Sequence, residues 1–160
     1  ITQSAGVMPF DVTLVKPSFV ACSVHKWLLG AYGFSLLYVA PSFHQGVPLE
    51  HFERNRLGAD NPQWEESAET MTLQGYPTQF ESGARRFDSG GRPNPITLPM
   101  LHEALRHITK WGVEPIGHRV GSLMARIEAV ALELGLDIPR KHAPHIIGIR
   151  WSPQVSSASP

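Results

Sequence analysis

Two short apolar runs near the start of the chain limit its architecture more than any other feature. Residues 19–24 are apolar and partly β-branched, which predicts a buried strand. Residues 34–39 predict a second buried strand, stopped by Pro41. Gly30 and Gly33 bracket the connection. Two apolar strands joined by such a turn are expected to pair as antiparallel neighbours.

Helical signals follow only later. Leu98, Leu101, Leu105 and Ile108 draw one apolar stripe, and Gly112 falls where a C-terminal cap belongs. Ile116, Val120, Leu123, Ile127, Val130 and Leu134 draw a second stripe, followed by Gly135 and then by Pro139. Residues 145–150 predict a last strand. Strands first and helices later describe the end of an α/β layer leading into an α+β unit. There is no internal repeat.

Residues 44–94 contrast with both regions. They are polar, rich in Gly, Pro, Asn and Glu, and carry no sustained apolar period. A stretch this long without structure is uncommon in a compact domain and is usually functional or disordered. Asn61 with Pro62 could start a short helix over 62–70. The Ser/Pro-rich end, 152–160, has too little apolar content to offset its ordering entropy and is expected to be disordered.

Composition narrows the function classes. The 160 residues carry 14 basic and 14 acidic side chains, so there is no net electrostatic footprint for nucleic acid or an anionic membrane surface. No apolar run approaches the ~20 residues that span a bilayer. Residues 1–10 do not read as a secretory signal. The single cysteine, Cys22, excludes an intrachain disulfide. A soluble, cytoplasmic protein is the expectation.

Chemistry concentrates at Ser23-Val24-His25-Lys26-Trp27, where the first predicted strand ends. A lysine amine becomes a nucleophile for carbonyls where apolar neighbours and cations disfavour its charge. Lys26 follows an apolar strand and precedes Trp27, Leu28 and Leu29. Ser23 and His25 add a hydroxyl and an imidazole, both capable of donating to a phosphate. By residue type alone, a solvated turn lysine with an incidental histidine is the commoner meaning of such a segment.

The wider pattern resembles the lysine segment of class V aminotransferase-family enzymes, the fold-type-I pyridoxal-phosphate group that includes cysteine desulfurases and isopenicillin-epimerase-like enzymes. Residues 19–39, FVACSVHKWLLGAYGFSLLYV, follow the family order of apolar strand, Ser-x-His-Lys, Gly-bearing turn and apolar antiparallel strand. Upstream, residues 2–12, TQSAGVMPFDV, are similar to the preceding family segment. Downstream, residues 83–105, GARRFDSGGRPNPITLPMLHEAL, are similar to a later Gly-rich loop and its following helix. The similarity runs from about residue 1 to 150.

The resemblance implies a pyridoxal 5'-phosphate enzyme acting at the α-carbon of an amino acid by transamination, epimerisation or elimination, with an amino-acid or keto-acid substrate. It leans toward the isopenicillin-epimerase-like branch. Lys26 would form the internal aldimine and later shuttle the substrate α-proton. Ser23 and His25 would bind the cofactor phosphate, and Gln3 the ring hydroxyl. Gly90, Gly91 and Arg92 would reach the phosphate of the neighbouring subunit in a homodimer. Glycine N–H groups approach oxyanions closely, and Arg92 stands where the family more often has Thr.

The resemblance also implies domains: residues 1–95 as the end of a large cofactor-binding domain with a long active-site and interface loop, 96–150 as part of a small α+β C-terminal domain, and 151–160 as a tail. The family's carboxylate partner for the pyridine nitrogen would fall one position before Ile1, and its substrate-carboxylate arginine beyond Pro160. An internal fragment is therefore expected. Asp11 is too far downstream to replace that carboxylate and is expected in a helix cap or turn.

A rival reading, from a different class, is a truncated non-catalytic remnant of the same fold acting as an interaction or structural module. An unrelated α/β binding domain would require three ordered matches by coincidence. Cys22, within an apolar strand, is expected as a buried small hydrophobe. His142 and His145 lie three apart but have Pro144 between them and no carboxylate or cysteine cluster, so no metal site is expected. Arg85 and Arg86 are expected as a solvated basic turn. Trp27, Trp64, Trp111 and Trp151 are expected as core or interface anchors.

Overall fold

A computed structural model of the chain describes residues 1–52, 55–57, 78–91 and 94–151. The helix expected over 62–70, Trp64, Arg92 and the tail over 152–160 lie outside the described residues.

The chain opens with two tight turns over residues 1–8, closed by Ser4 and Ala5 amides donating to the Ile1 carbonyl. A one-turn helix, α1 (Val12–Val15), follows. Asp11 caps it, as its position suggested, by accepting from the Thr13 amide at 2.7 Å. Strands β1 (Phe19–Ser23) and β2 (Ser35–Val39) then pair antiparallel, with Phe19 opposite Val39 and Ser23 opposite Ser35.

The expected burial of both strands is only partly met. Cys22 and Val39 are buried, but Phe19, Leu36 and Leu37 are exposed. The described residues place only these two strands in the sheet, so no neighbouring strand or second helix layer covers the remaining side chains. What covers β1 is one side only. Cys22, Val24, Leu28 and Leu101 form a buried cluster, with Ala5, Phe34 and Leu105 packed against it. At the other end of the ladder, Phe19 meets Phe43 at 5.0 Å and Phe87 at 6.3 Å between ring centroids.

That aromatic contact draws part of 44–94 onto the strand pair. Short 3-10 turns at Pro41–Phe43 and Gly83–Phe87 present the two rings. Asn55 is buried, and its amide Nδ2 donates to the Asp88 carbonyl at 2.5 Å. Arg86 is half-buried and donates to the carbonyls of Glu81 and Gly46 and to Gln45 Oε1. The expected solvated basic turn is therefore corrected at Arg86, whose guanidinium satisfies loop carbonyls that have no ladder partner.

Helices α2 (Thr97–Trp111) and α3 (Val113–Glu133) match the apolar stripes. Asn94 Oδ1 accepts from the Ile96 and Thr97 amides at the start of α2. Leu101 and Ile108 are buried on its inner face. Gly112 ends α2 at φ 81°, a conformation that disfavours any residue with a Cβ. Pro115 follows in the first turn of α3, where its missing N–H costs no helix bond.

The second stripe is less buried than its period suggested. Leu123, Ile127, Val130 and Leu134 are exposed and line an open apolar groove of about 620 Å³ with Leu136 and Ile149. Trp111 and Trp151 are likewise exposed rather than core anchors. The strand expected over 145–150 is replaced by a single bridge between Asp137 and Arg150. Among the described residues Ile146 and Ile149 have no adjacent ladder to join, so their β-propensity has nothing to act on. Among the described residues, no helix is long and apolar enough to cross a membrane.

Candidate functional site around Lys26

The turn that carries Lys26 is built by its neighbours. Val24 is fully buried, its amide donates to the Phe34 carbonyl at 3.3 Å, and its carbonyl accepts from the Gly30 amide at 2.9 Å. Leu28 fills the same cluster as Val24. Gly30 is required here because an added Cβ would lie 2.7 Å from Val24 and 3.0 Å from Leu101. The loop is thus pinned at both ends, with Lys26 at its exposed apex.

The apolar environment expected around the amine is not what these neighbours provide. Leu28 packs inward, Trp27 is half-buried against His145, and Leu29 is exposed. Leu29 also holds φ 57°, a left-handed conformation that costs a branched side chain about 1–2 kcal/mol. Backbone strain of this kind gathers at functional turns.

Gln3 is brought to the same place. The Ile1 nitrogen donates to the Ala21 carbonyl at 2.9 Å, and the Ser23 amide donates to Thr2 Oγ1 at 3.0 Å. Gly6 lies so close to the Trp27 carbonyl that an added Cβ would sit 2.6 Å from its oxygen. These contacts lay the first turn against the end of β1. Gln3, Ser23, His25 and Lys26 consequently share two adjoining turns, with the Gln3 and Lys26 side chains exposed. His25 stacks on Tyr32 at 4.3 Å and 17° between planes. Cys22 is buried in β1, as expected of a small hydrophobe.

The glycine loop is held elsewhere. The Gly90 amide donates to Glu50 Oε2 at 2.6 Å, and Phe52 packs against the same glycine. Gly91 adopts φ 88° in open space. Beside this loop, burial pushes the Asp88 carboxyl up from the usual carboxylate range, partly opposed by Arg85. Within one chain, Gly90 is therefore held by Glu50, while Gly91 stands open.

These donors suit a phosphorylated aldehyde. The Ser23 hydroxyl and His25 imidazole can serve an anion, Lys26 offers an accessible amine, and Gly90 already binds a carboxylate oxygen through its backbone. Sequence reasoning missed Thr2, Glu50 and Tyr32 as site neighbours and weighed His145 only as a strand residue and as a metal ligand. None carries a local signal, because each gains its place through contacts across 7 to 142 positions.

Comparison with known proteins bears on the fold and the family. A structure of cysteine desulfurase from Thermococcus onnurineus NA1 superposes with a TM-score of 0.74 at 24% identity, covering 96% of this chain and 36% of that one. A mutant of C-DES with glycine covalently linked to its pyridoxal-phosphate cofactor superposes at 0.63 and 18% identity, covering 92% of this chain and 35% of that one. The chain thus spans about a third of the solved structures it matches and has part of their fold-type-I architecture. No curated protein sequence matches it. The family described as aminotransferase class-V matches residues 1–138. With that match over most of its length, the chain belongs to the class V aminotransferases, a family whose cofactor is pyridoxal phosphate.

Proposed function

We propose that Lys26 anchors pyridoxal phosphate in this chain, for chemistry at the α-carbon of an amino acid. The observation that carries the reading is the convergence of Gln3, Ser23, His25 and Lys26 on two turns joined by the Ile1–Ala21 and Thr2–Ser23 hydrogen bonds. The bound cofactor supplies an electron-withdrawing ring that delocalises charge from the substrate α-carbon. Lys26 Nζ would hold the cofactor and would move the α-proton. The Ser23 hydroxyl and the His25 imidazole donate to the phosphate, and the Gln3 amide to the ring hydroxyl. The reaction belongs to the transamination, epimerisation and elimination group. Cys22, buried in β1, takes no part as a sulfur nucleophile.

Gly90 and Gly91, with Arg92, serve the phosphate of a second subunit in a homodimer. That assignment is supported by the separate grouping of the glycine loop, which faces Glu50 within its own chain. Residues 1–95 then act as the cofactor-binding part, and 96–150 as part of a smaller domain that begins near Asn94.

Titration with pyridoxal phosphate tests the reading. A saturable visible absorption band in wild type, absent from Lys26→Ala, is expected. Equal bands in both proteins would contradict it.

A further inference from the structure

His145 lies far from the candidate site in sequence, yet it touches both halves of it. Its Nε2 is 2.7 Å from the Gln3 carbonyl, across 142 positions. A carbonyl only accepts, so Nε2 carries the proton. The ring also meets Trp27, next to Lys26, edge to face at 5.7 Å and 81°. The residue is 6% exposed, and its Nδ1 is buried without a hydrogen-bond partner among the described residues. A buried nitrogen left unpaired is rare and calls for an explanation. What holds the ring in place is its other edge, where Nε2 bonds the Gln3 carbonyl while the ring packs on Trp27.

The turn that follows is closed by α3. An added Cβ at Gly117 would lie 2.6 Å from the Val7 carbonyl. The first turns are therefore held at Val7 by α3 and at Gln3 by His145, and His145 with Trp27 adds a second link between Gln3 and the Lys26 turn besides the Ile1–Ala21 and Thr2–Ser23 bonds.

We propose that His145 is a positioning residue that fixes Gln3 relative to the Lys26 turn; the proposal rests on the reading that these two residues hold the cofactor. His145 touches neither cofactor nor substrate. It acts through the backbone of Gln3 and the ring of Trp27.

The test compares wild type, His145→Phe and His145→Gln in the full chain, each titrated with pyridoxal phosphate. Phe keeps an aromatic edge for Trp27 and loses the donor, whereas Gln keeps a donor of similar reach. His145→Phe is expected to bind roughly ten-fold more weakly, the ratio that corresponds to one lost buried hydrogen bond. Its visible circular dichroism band is expected to shift, because the ring hydroxyl loses its fixed partner. His145→Gln should restore both.

A His145→Phe protein that melts as wild type does, with unchanged affinity and band, would overturn the positioning role and leave the Lys26 reading intact. So would a His145→Gln protein as impaired as His145→Phe. Should His145→Phe not fold, the imidazole nitrogen resonances of His145 in wild type decide. They are expected to move when cofactor binds, and unmoved resonances overturn the proposal. Wild type that takes up no cofactor would sink the Lys26 reading, and the positioning role with it.

Discussion

The turn around Lys26 and the loop around Gly90 were both expected to hold phosphate, and they are built in opposite ways. Lys26 stands on a turn whose ends are buried with Val24 and Leu28 against α2. Gly90 hangs on a loop secured mostly by polar bonds, with Glu50 on its amide, Asn55 on the Asp88 carbonyl and Arg86 on the carbonyls of Glu81 and Gly46, beside the buried ring of Phe87. A site presented by a packed core is fixed by many weak contacts and yields only to the loss of several. A site presented by a loop depends on a handful of polar bonds and is loosened by breaking one.

Core truncation should separate the two most strongly. Leu101→Ala removes a buried side chain beneath the Lys26 turn and is expected to cost about 2–4 kcal/mol in denaturant unfolding. It should also weaken cofactor binding. A loss below about 1 kcal/mol would mean the turn does not depend on α2.

Asn55→Ala is the corresponding break in the loop. It removes a buried amide and leaves the Asp88 carbonyl without its donor, and is expected to cost about 1–3 kcal/mol. Amide exchange should speed up around residues 78–91 and stay unchanged around 19–39. Uniform acceleration would erase the contrast between the two regions.

Leu29→Gly sharpens the contrast from the other direction. It relieves the left-handed strain beside Lys26 and, after the added freedom of the unfolded chain, should stabilise by up to about 1 kcal/mol. A destabilised variant would show that the leucine side chain outweighs the strain.

The smallest effect is electrostatic. Burial raises the Asp88 carboxyl, so the folded state holds that proton more tightly than the unfolded chain does. The associated stability is fully present below the ordinary carboxylate range and is lost as pH rises through the raised value. Melting temperatures of wild type and Asp88→Asn should therefore diverge in their pH slope across that acidic window. Parallel slopes would contradict the assignment.

The same contrast explains what the sequence made legible. The Asp11 cap and the Gly112 break rest on contacts within a few positions, and β1 meets β2 across one short connection, with Ser23 opposite Ser35, so each followed from local pattern. The 145–150 segment did not, because a strand exists only where another strand accepts it, and Arg150 finds a single partner in Asp137. Arg86 looked like a solvated charge because nothing beside it in sequence shows the carbonyl of Gly46, 40 positions away. In the candidate site, the resemblance to class V aminotransferases named Gln3, Ser23, His25 and Lys26, and the fold places them on adjoining turns. It gave no sign of Thr2 or His145, whose positions follow from long-range bonds.

Borohydride trapping with pyridoxal phosphate, followed by peptide mass mapping, tests the central claim most directly. The chain has four lysines, Lys16, Lys26, Lys110 and Lys141, so the label has few places to go. Selective labelling of Lys26, abolished in Lys26→Ala, is the predicted result. Even labelling of all four, unchanged by Lys26→Ala, would contradict a cofactor site at this turn.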